Sequence, residues 1–228
     1  MPIDVETKDC TSLSDAELAE MGDICTDGPA RYDIGLLSKQ VDLWVLVSIA
    51  RNNGVLQGFS FCTLERIGGT PAVVIGMASI KRTARRQEVL KAIMADQFRR
   101  SVMAFPDEDV LVGTRFRSPS GFDAFKVFIK LEDVVPRPGH KATGEERAWG
   151  RRLAKRFGVD GDYLDREFIA RGDGSPGCAL DHDSLKAETL DADIVAYFAD
   201  VDADRGDSLV ACGWAMAEDL AKKAKQPG

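Results

Sequence analysis

The stretch 71-PAVVIGMASIKRTARRQEVLKAIMADQFRRSVMAFP-106 decides how this chain is read. Residues 72–80 are apolar, small or β-branched almost throughout, the composition of a buried strand. The turn that follows holds Lys81, Arg82, Arg85 and Arg86. Then Val89, Leu90, Ile93, Met94, Phe98, Val102 and Phe105 recur at spacings of three and four, one face of a long helix. A strand that feeds a helix through a basic turn suits an anion, because the first amides of a helix are unpaired and its N-terminus is partly positive. The expectation is a phosphate-bearing ligand. The alternative is a solvated basic turn before an ordinary core helix.

Upstream, residues 42–51 and 55–65 read as strands joined by Asn53-Gly54, a strong signal for a type I′ hairpin. Gly68-Gly69 joins the second of these to strand 72–80, so an antiparallel meander leads into the basic turn. Before it, residues 12–25 read as a helix. Ser14 and Glu17 form a capping box, Leu13 and Leu18 the accompanying staple, and Leu18, Met21 and Cys25 the apolar face. Gly28-Pro29 breaks that helix, and a second segment over 32–40 carries Ile34, Leu36 and Leu37. Downstream, residues 109–116 form a short strand. Arriving after a helical crossover, it is expected to run parallel to strand 72–80. Ser118-Pro119 opens a short helix over 120–128, and Pro136, Pro138 and Gly139 mark a loop. Thr143 and Glu146 cap another helix, with the stripe Trp149, Leu153 and Phe157 and a stop at Gly158. Residues 158–190, rich in Asp and Gly, give no clear assignment. A last strand pair is expected over 194–201, with helix as the alternative, and 208–214, before a helical tail over 215–225. With no repeat and no linker, residues 1–228 read as one domain with an elaborated C-terminal third.

The 228 residues are 44% hydrophobic and 29% charged, ordinary for a globular protein, and the net charge of −7 argues against a nucleic-acid partner. Basic residues 81–86 are thus a local patch on an acidic protein. Cys10, Cys25, Cys62, Cys178 and Cys212 make no CxxC pair, so neither a disulfide framework nor a zinc site is expected. The N-terminus lacks the apolar core of a signal peptide, and no run is long enough to span a membrane. The expected compartment is the cytoplasm.

Taken together, helix, helix, meander, basic turn, long helix, parallel strand and short helix resemble the GNAT fold of acyl-CoA-dependent N-acyltransferases, over residues 12–135. The resemblance implies an α/β (α+β) class: a mixed, largely antiparallel sheet flanked by helices and completed by residues 136–228. It implies acyl-CoA, or an acyl-carrier thioester, as co-substrate, and no metal. In that family the strand before the long helix splays from its neighbour and pairs with the donor's pantetheine; here that strand end holds Met77, Ser79 and Ile80. The family's turn holds the pyrophosphate; here the turn offers Arg82, Arg85, Arg86 and Gln87. The chain also resembles a divergent bacterial branch, through T-R-x-x-x-P at Thr114, Arg115 and Pro119, V-x-P-x-P at Val134, Pro136 and Pro138, and G-D-x-L at Gly206, Asp207 and Leu209. The family's loop, R/Q-x-x-G-x-G/A, is degenerate here. Counted from Arg85 its glycine positions hold Glu88 and Leu90; counted from Arg82 they hold Arg85 and Gln87. Arginine side chains can replace missing amide contacts to a phosphate; unrelated surface charge is the alternative. Where the family places a tyrosine acid, the short helix offers Phe122, Phe125 and Phe128.

Acyl transfer to an amine needs a base for the amine and a proton for the leaving thiolate. Glu65 and Asp123 are the candidate catalytic carboxylates, and Thr114, Arg115 and Ser118 further cleft residues. The structural alternatives are a solvated turn residue for Glu65 and a helix N-cap for Ser118. Cys62 reads as a buried thiol rather than an acyl acceptor. Cys178 and His182 have metal-like spacing, but two ligands make no site; residues 200–206 lack the glycine and final carboxylate of a calcium loop. No Walker, Rossmann or nucleophile-elbow motif occurs. The expected function is acyl transfer from a small-molecule thioester donor to a small amine or amino-acid derivative. A catalytically silent ligand- or partner-binding protein, or a different enzyme in the same cleft, stays open. Neither nucleic acid nor membrane is expected as a partner, and a homodimer is left open.

Overall fold

The computed structural model describes residues 2–26, 32–127, 133–174, 180–181 and 190–224. One mixed sheet organises them. Its strands are β1 (Asp4–Asp9), β2 (Leu46–Asn52), β3 (Val55–Ile67), β4 (Thr70–Ile80), β5 (Val110–Phe116), β6 (Tyr163–Leu164), β7 (Ile169–Ala170), β8 (Leu180–Asp181) and β9 (Ser208–Ala215). The order across the sheet is β1-β2-β3-β4-β8-β5-β9-β7-β6. The helices are α1 (Asp15–Thr26), α2 (Ile34–Leu43), α3 (Arg86–Ala104), α4 (Pro119–Ala124), α5 (Gly144–Arg156), α6 (Ala192–Tyr197) and α7 (Ala217–Ala224).

The meander forms as the sequence implies. Asn53 and Gly54 both take positive φ, 51° and 78°, the conformation a type I′ turn needs. β3 and β4 pair antiparallel, and β5 joins β4 in parallel through Ala72–Leu111, Val73–Val112 and Val74–Gly113. Both capping boxes form: Ser14 with Glu17, and Thr143 with Glu146. Each face of the sheet has its own core. Val89, Leu90, Ile93 and Phe98 of α3 pack on Val73, Ile75, Val110 and Val112, together with α4, α6 and Leu220 of α7. Met21, Leu37, Trp149 and Leu153 of α1, α2 and α5 pack on Val74, Met77, Leu111 and Val210 on the other side.

Several expectations are corrected. The sheet begins at Asp4, before residue 12, because the polar segment 4–9 pairs along β2 as an edge strand. The second helix runs on to Leu43, so the strand expected from residue 42 starts at Leu46. Residues 192–197 are helical: the Asp191 carboxylate accepts the amide of Asp193 at 2.8 Å and starts a turn. Within 158–190, which the sequence leaves unassigned, the short strands β6, β7 and β8 form. β9, antiparallel to β5 from Val110–Ala215 to Phe116–Leu209, ties the C-terminal third into the same sheet. Cys178, His182, Phe128 and the Gly28-Pro29 break lie outside the described residues. No helix among the described residues is long and apolar enough to cross a membrane.

Candidate functional site: a fork between two parallel strands

β4 and β5 run side by side only as far as Val74 and Gly113. The cause is local. In β4 the register against β3 slips between Ile75, opposite Cys62, and Met77, opposite Phe61, leaving Gly76 as the extra residue. A bulge bends its strand and increases its twist. Here it steers β4 away from β5 immediately after their last paired residues. Glycine is required by space: a Cβ at Gly76 would lie 1.9 Å from Cε2 and Cζ2 of Trp44. The indole is itself fixed, its Nε1–H donating to Oε1 of Gln40 at 3.0 Å. At the crotch of the fork the Thr114 hydroxyl donates to the Ile75 carbonyl at 3.1 Å, satisfying a buried acceptor where the ladder ends.

Beyond the crotch, β4 keeps its bonded edge to β3, with Met77, Ala78, Ser79 and Ile80 opposite Phe61, Ser60, Phe59 and Gly58. Its other edge faces the opening. There β8 lies between the parted strands: Ala78 and Ser79 pair in parallel with Leu180 and Asp181, and Phe116 pairs with Leu180 from the other side.

The basic turn and the start of α3 stand at the mouth of this fork. Lys81 closes onto the hairpin through its amide, which donates to the Gln57 carbonyl at 2.8 Å. The Thr83 hydroxyl accepts the Arg85 amide. Arg82 and Gln87 are exposed, whereas Arg86 is buried. The Arg85 guanidinium turns back on Glu88, at 2.7 and 2.9 Å from one carboxylate oxygen. Thus Glu88, standing where the degenerate loop lacks a glycine, engages one of the arginines expected to face a phosphate.

Other expected site residues scatter. Thr114 lies at the crotch. Arg115, its neighbour on the opposite face, is buried with its guanidinium 5.4 Å from the Phe157 ring centre and 3.4 Å from Ser208 Oγ. Ser118 caps α4 through the Gly121 amide, as its structural alternative implied. Asp123, on α4 just past β5, pairs with Lys126 at 2.7 Å. Glu65 is not brought to the fork. It sits opposite Ala72 and binds Arg156. At ~3.3 Å per residue, it is about 20 Å from Ala78.

Sequence reasoning missed the carboxylates that do share this end of the sheet. Glu20 and Asp23 of α1, with Ile24, Val55, Leu56 and Lys81, line a cavity of about 200 Å³ between α1 and the hairpin tip. Glu20 forms an ion pair with Arg51 there. On α1 the two acids look like any solvated helical face; only the tertiary placement of Val55, Leu56 and Lys81 beside them sets them apart.

An antiparallel meander, a crossover helix, and a parallel strand that forks from the meander's last strand at a bulge are the arrangement implied by the family resemblance. The chain has a GNAT fold. No protein-family model and no curated protein matches the sequence. Among solved structures, the chain is similar to the ribosomal-protein-S18-alanine N-acetyltransferase from Escherichia coli. That likeness has 8% identity and a TM-score of 0.48, over 93% of this chain and 95% of the other. It is also similar to the aminoglycoside 6′-N-acetyltransferase from Enterococcus faecium, at 11% identity and a TM-score of 0.39. The match takes in 49% of this chain and spans 61% of that enzyme's length. A third, an acyl-CoA N-acyltransferase from Pseudomonas aeruginosa, shares 18% identity at a TM-score of 0.37, over 49% of this chain and 78% of the other.

Proposed function

We propose that the chain transfers an acyl group from an acyl-CoA, or a related carrier thioester, to a small amine. The observation that carries this reading is the fork itself. β4 turns its edge from Met77 to Ile80, met there only by the two-residue β8 at Ala78 and Ser79, into an opening whose mouth holds a basic turn and the N-terminus of a 19-residue helix. Pantetheine is an extended arm with two amides, suited to pair with such an edge; the diphosphate beyond it suits Arg82, Arg86 and the first amides of α3. The acceptor enters through the cavity at Glu20 and Asp23; Glu20 already answers Arg51, so Asp23 is the carboxylate offered to a cationic amine. Asp23 takes the ammonium proton, the nitrogen attacks the thioester carbonyl, the C–N bond forms and the C–S bond breaks. The thiolate leaves and takes up the second proton that the nitrogen loses as it becomes an amide. Asp123, on α4 just past β5, is a further candidate carboxylate. We further propose a cytoplasmic setting.

Titration calorimetry with acetyl-CoA and longer acyl-CoAs tests the donor. Binding is expected, and its absence at millimolar concentration overturns the reading. A second reading, a silent ligand- or partner-binding protein, draws on the Arg85–Glu88 pair and on β8 lying in the fork. Thioester turnover with any member of an amine panel removes it.

A further inference from the structure

We infer that β8 is a built-in competitor for the donor, held in the fork in the resting protein and displaced when an acyl-CoA binds. This rests on reading the fork as the donor slot. One edge of β4 over Met77, Ala78, Ser79 and Ile80 is committed to β3. The other is the edge on which Ala78 and Ser79 pair with Leu180 and Asp181. Each backbone donor and acceptor on that edge serves one ladder at a time, so an extended amide arm and β8 exclude one another. β8 also reaches the far wall of the fork, through Leu180 opposite Phe116, and so stands across the whole opening.

Its grip is weak enough to yield. The strand is two residues long, whereas β3 and β4 pair over ten positions. Two or three net backbone hydrogen bonds lower the apparent donor affinity about ten- to a hundredfold, through the fraction of molecules whose slot is open. The device makes the slot continuous with the sheet when no donor is present, covering a strand edge that would otherwise invite pairing with another chain.

The test uses the full chain and the double variant Leu180→Pro/Asp181→Pro, which cannot donate to the ladder at either position. Amide hydrogen exchange at residues 78–80 is followed without ligand, and acetyl-CoA affinity is measured by calorimetry. The expected result is exchange at least tenfold faster at 78–80 and donor binding at least tenfold tighter than in the parent. Unchanged exchange, or equal or weaker donor binding by the variant, overturns the competitor. If neither protein binds acetyl-CoA although exchange has quickened, the fork is not a donor slot; the acyltransferase reading fails and β8 is left a structural strand. A measurement on the parent protein covers a variant that does not fold. Saturating acetyl-CoA should quicken exchange at residues 180–181, and unchanged or slower exchange there refutes displacement.

Discussion

Replacing Gly76 with alanine tests whether the fork is built by a steric agreement between one glycine and one indole. Gly76 does not have positive φ, so alanine suits its backbone, and the smaller entropy of the unfolded chain favours the variant by about 0.4–1 kcal/mol. Against this, the new methyl would sit 1.9 Å from two ring carbons of Trp44 and 2.5 Å from its Nε1. The ring has little freedom to retreat. It is buried, bonded to Gln40, 6.1 Å from the Phe157 ring and 4.7 Å from the Arg156 guanidinium carbon. Overpacking costs about 1–3 kcal/mol, and losing the indole hydrogen bond about 1 more. The net loss is then about 1–3.5 kcal/mol, or roughly 2–14 °C in Tm for a chain of this size. Urea unfolding followed by far-UV circular dichroism measures it, since that signal does not depend on Trp44. The decisive comparison is Gly76→Ala in a Trp44→Leu background. There the methyl has room, and the substitution should cost less than about 0.5 kcal/mol, giving a coupling of about 2 kcal/mol. Equal costs in the two backgrounds, or a cost near zero in the parent, would refute the steric account of the bulge.

Asp207 is the second place where the structure concentrates its stability. Its side chain is fully buried and accepts from Arg171 at 2.6 Å, Arg205 at 2.8 and 3.0 Å and the Gly172 amide at 2.8 Å. Burial alone would raise its pKa, but the Arg205 side chain, the Gly172 amide and Arg171 outweigh it and hold the carboxyl well below the usual carboxylate range. A depressed folded-state pKa contributes stability that is complete above the unfolded value of about 3.9 and is lost as pH falls below it. Asp207→Asn should therefore cost about 2–3 kcal/mol at pH 7, discounted because both arginines are partly exposed, with the gap from the parent narrowing below pH ~4 in pH-resolved urea melts. A gap that widens on acidification would contradict the arrangement. Cys10, Cys62 and Cys212 are buried, and burial pushes each thiol up to about 12. Under native conditions at pH 7.5 a maleimide should leave all three unlabelled over an hour, as read by peptide mass spectrometry, and label them in 6 M guanidinium.

The fork was legible in the sequence because both of its walls carry long-period signals. The run 72–80 is apolar but for Ser79, as suits a strand covered on both faces, and the helix after it repeats its apolar residues from Val89 to Phe105. A crossover helix dictates that the next strand be parallel, and β5 is. Where the structure departs from expectation, the local signal is short or set by distant packing. The segment 4–9 has only Val5 as an apolar residue because an edge strand buries little, so nothing in it announces a strand. The boundary near residue 42 moved because Val41 and Leu43 suit a strand as well as a helix; Trp44, which must meet Gly76, ends the helix. Glu65 closes a strand whose far end reaches the fork, and only the antiparallel register shows that it belongs to the other end.

Asp207 shows how a motif can be visible while its purpose is not. The run Gly206, Asp207, Leu209 marks the start of β9, but its meaning lies in Arg171 and Gly172, more than thirty residues upstream. The carboxylate joins the end of β7 to the start of β9, and the Asp202 and Arg205 turn to both. β9 in turn lies along the whole of β5, the outer wall of the fork. The buried Asp207 cluster therefore braces the wall that β8 and a donor would both touch. Loosening it should first be felt at Thr114, Arg115 and Phe116, before the meander on the other side of the opening, and residue-resolved hydrogen exchange on Asp207→Asn would order the two. Exchange that quickens in β2 and β3 before β5 would show that the two walls are not braced separately.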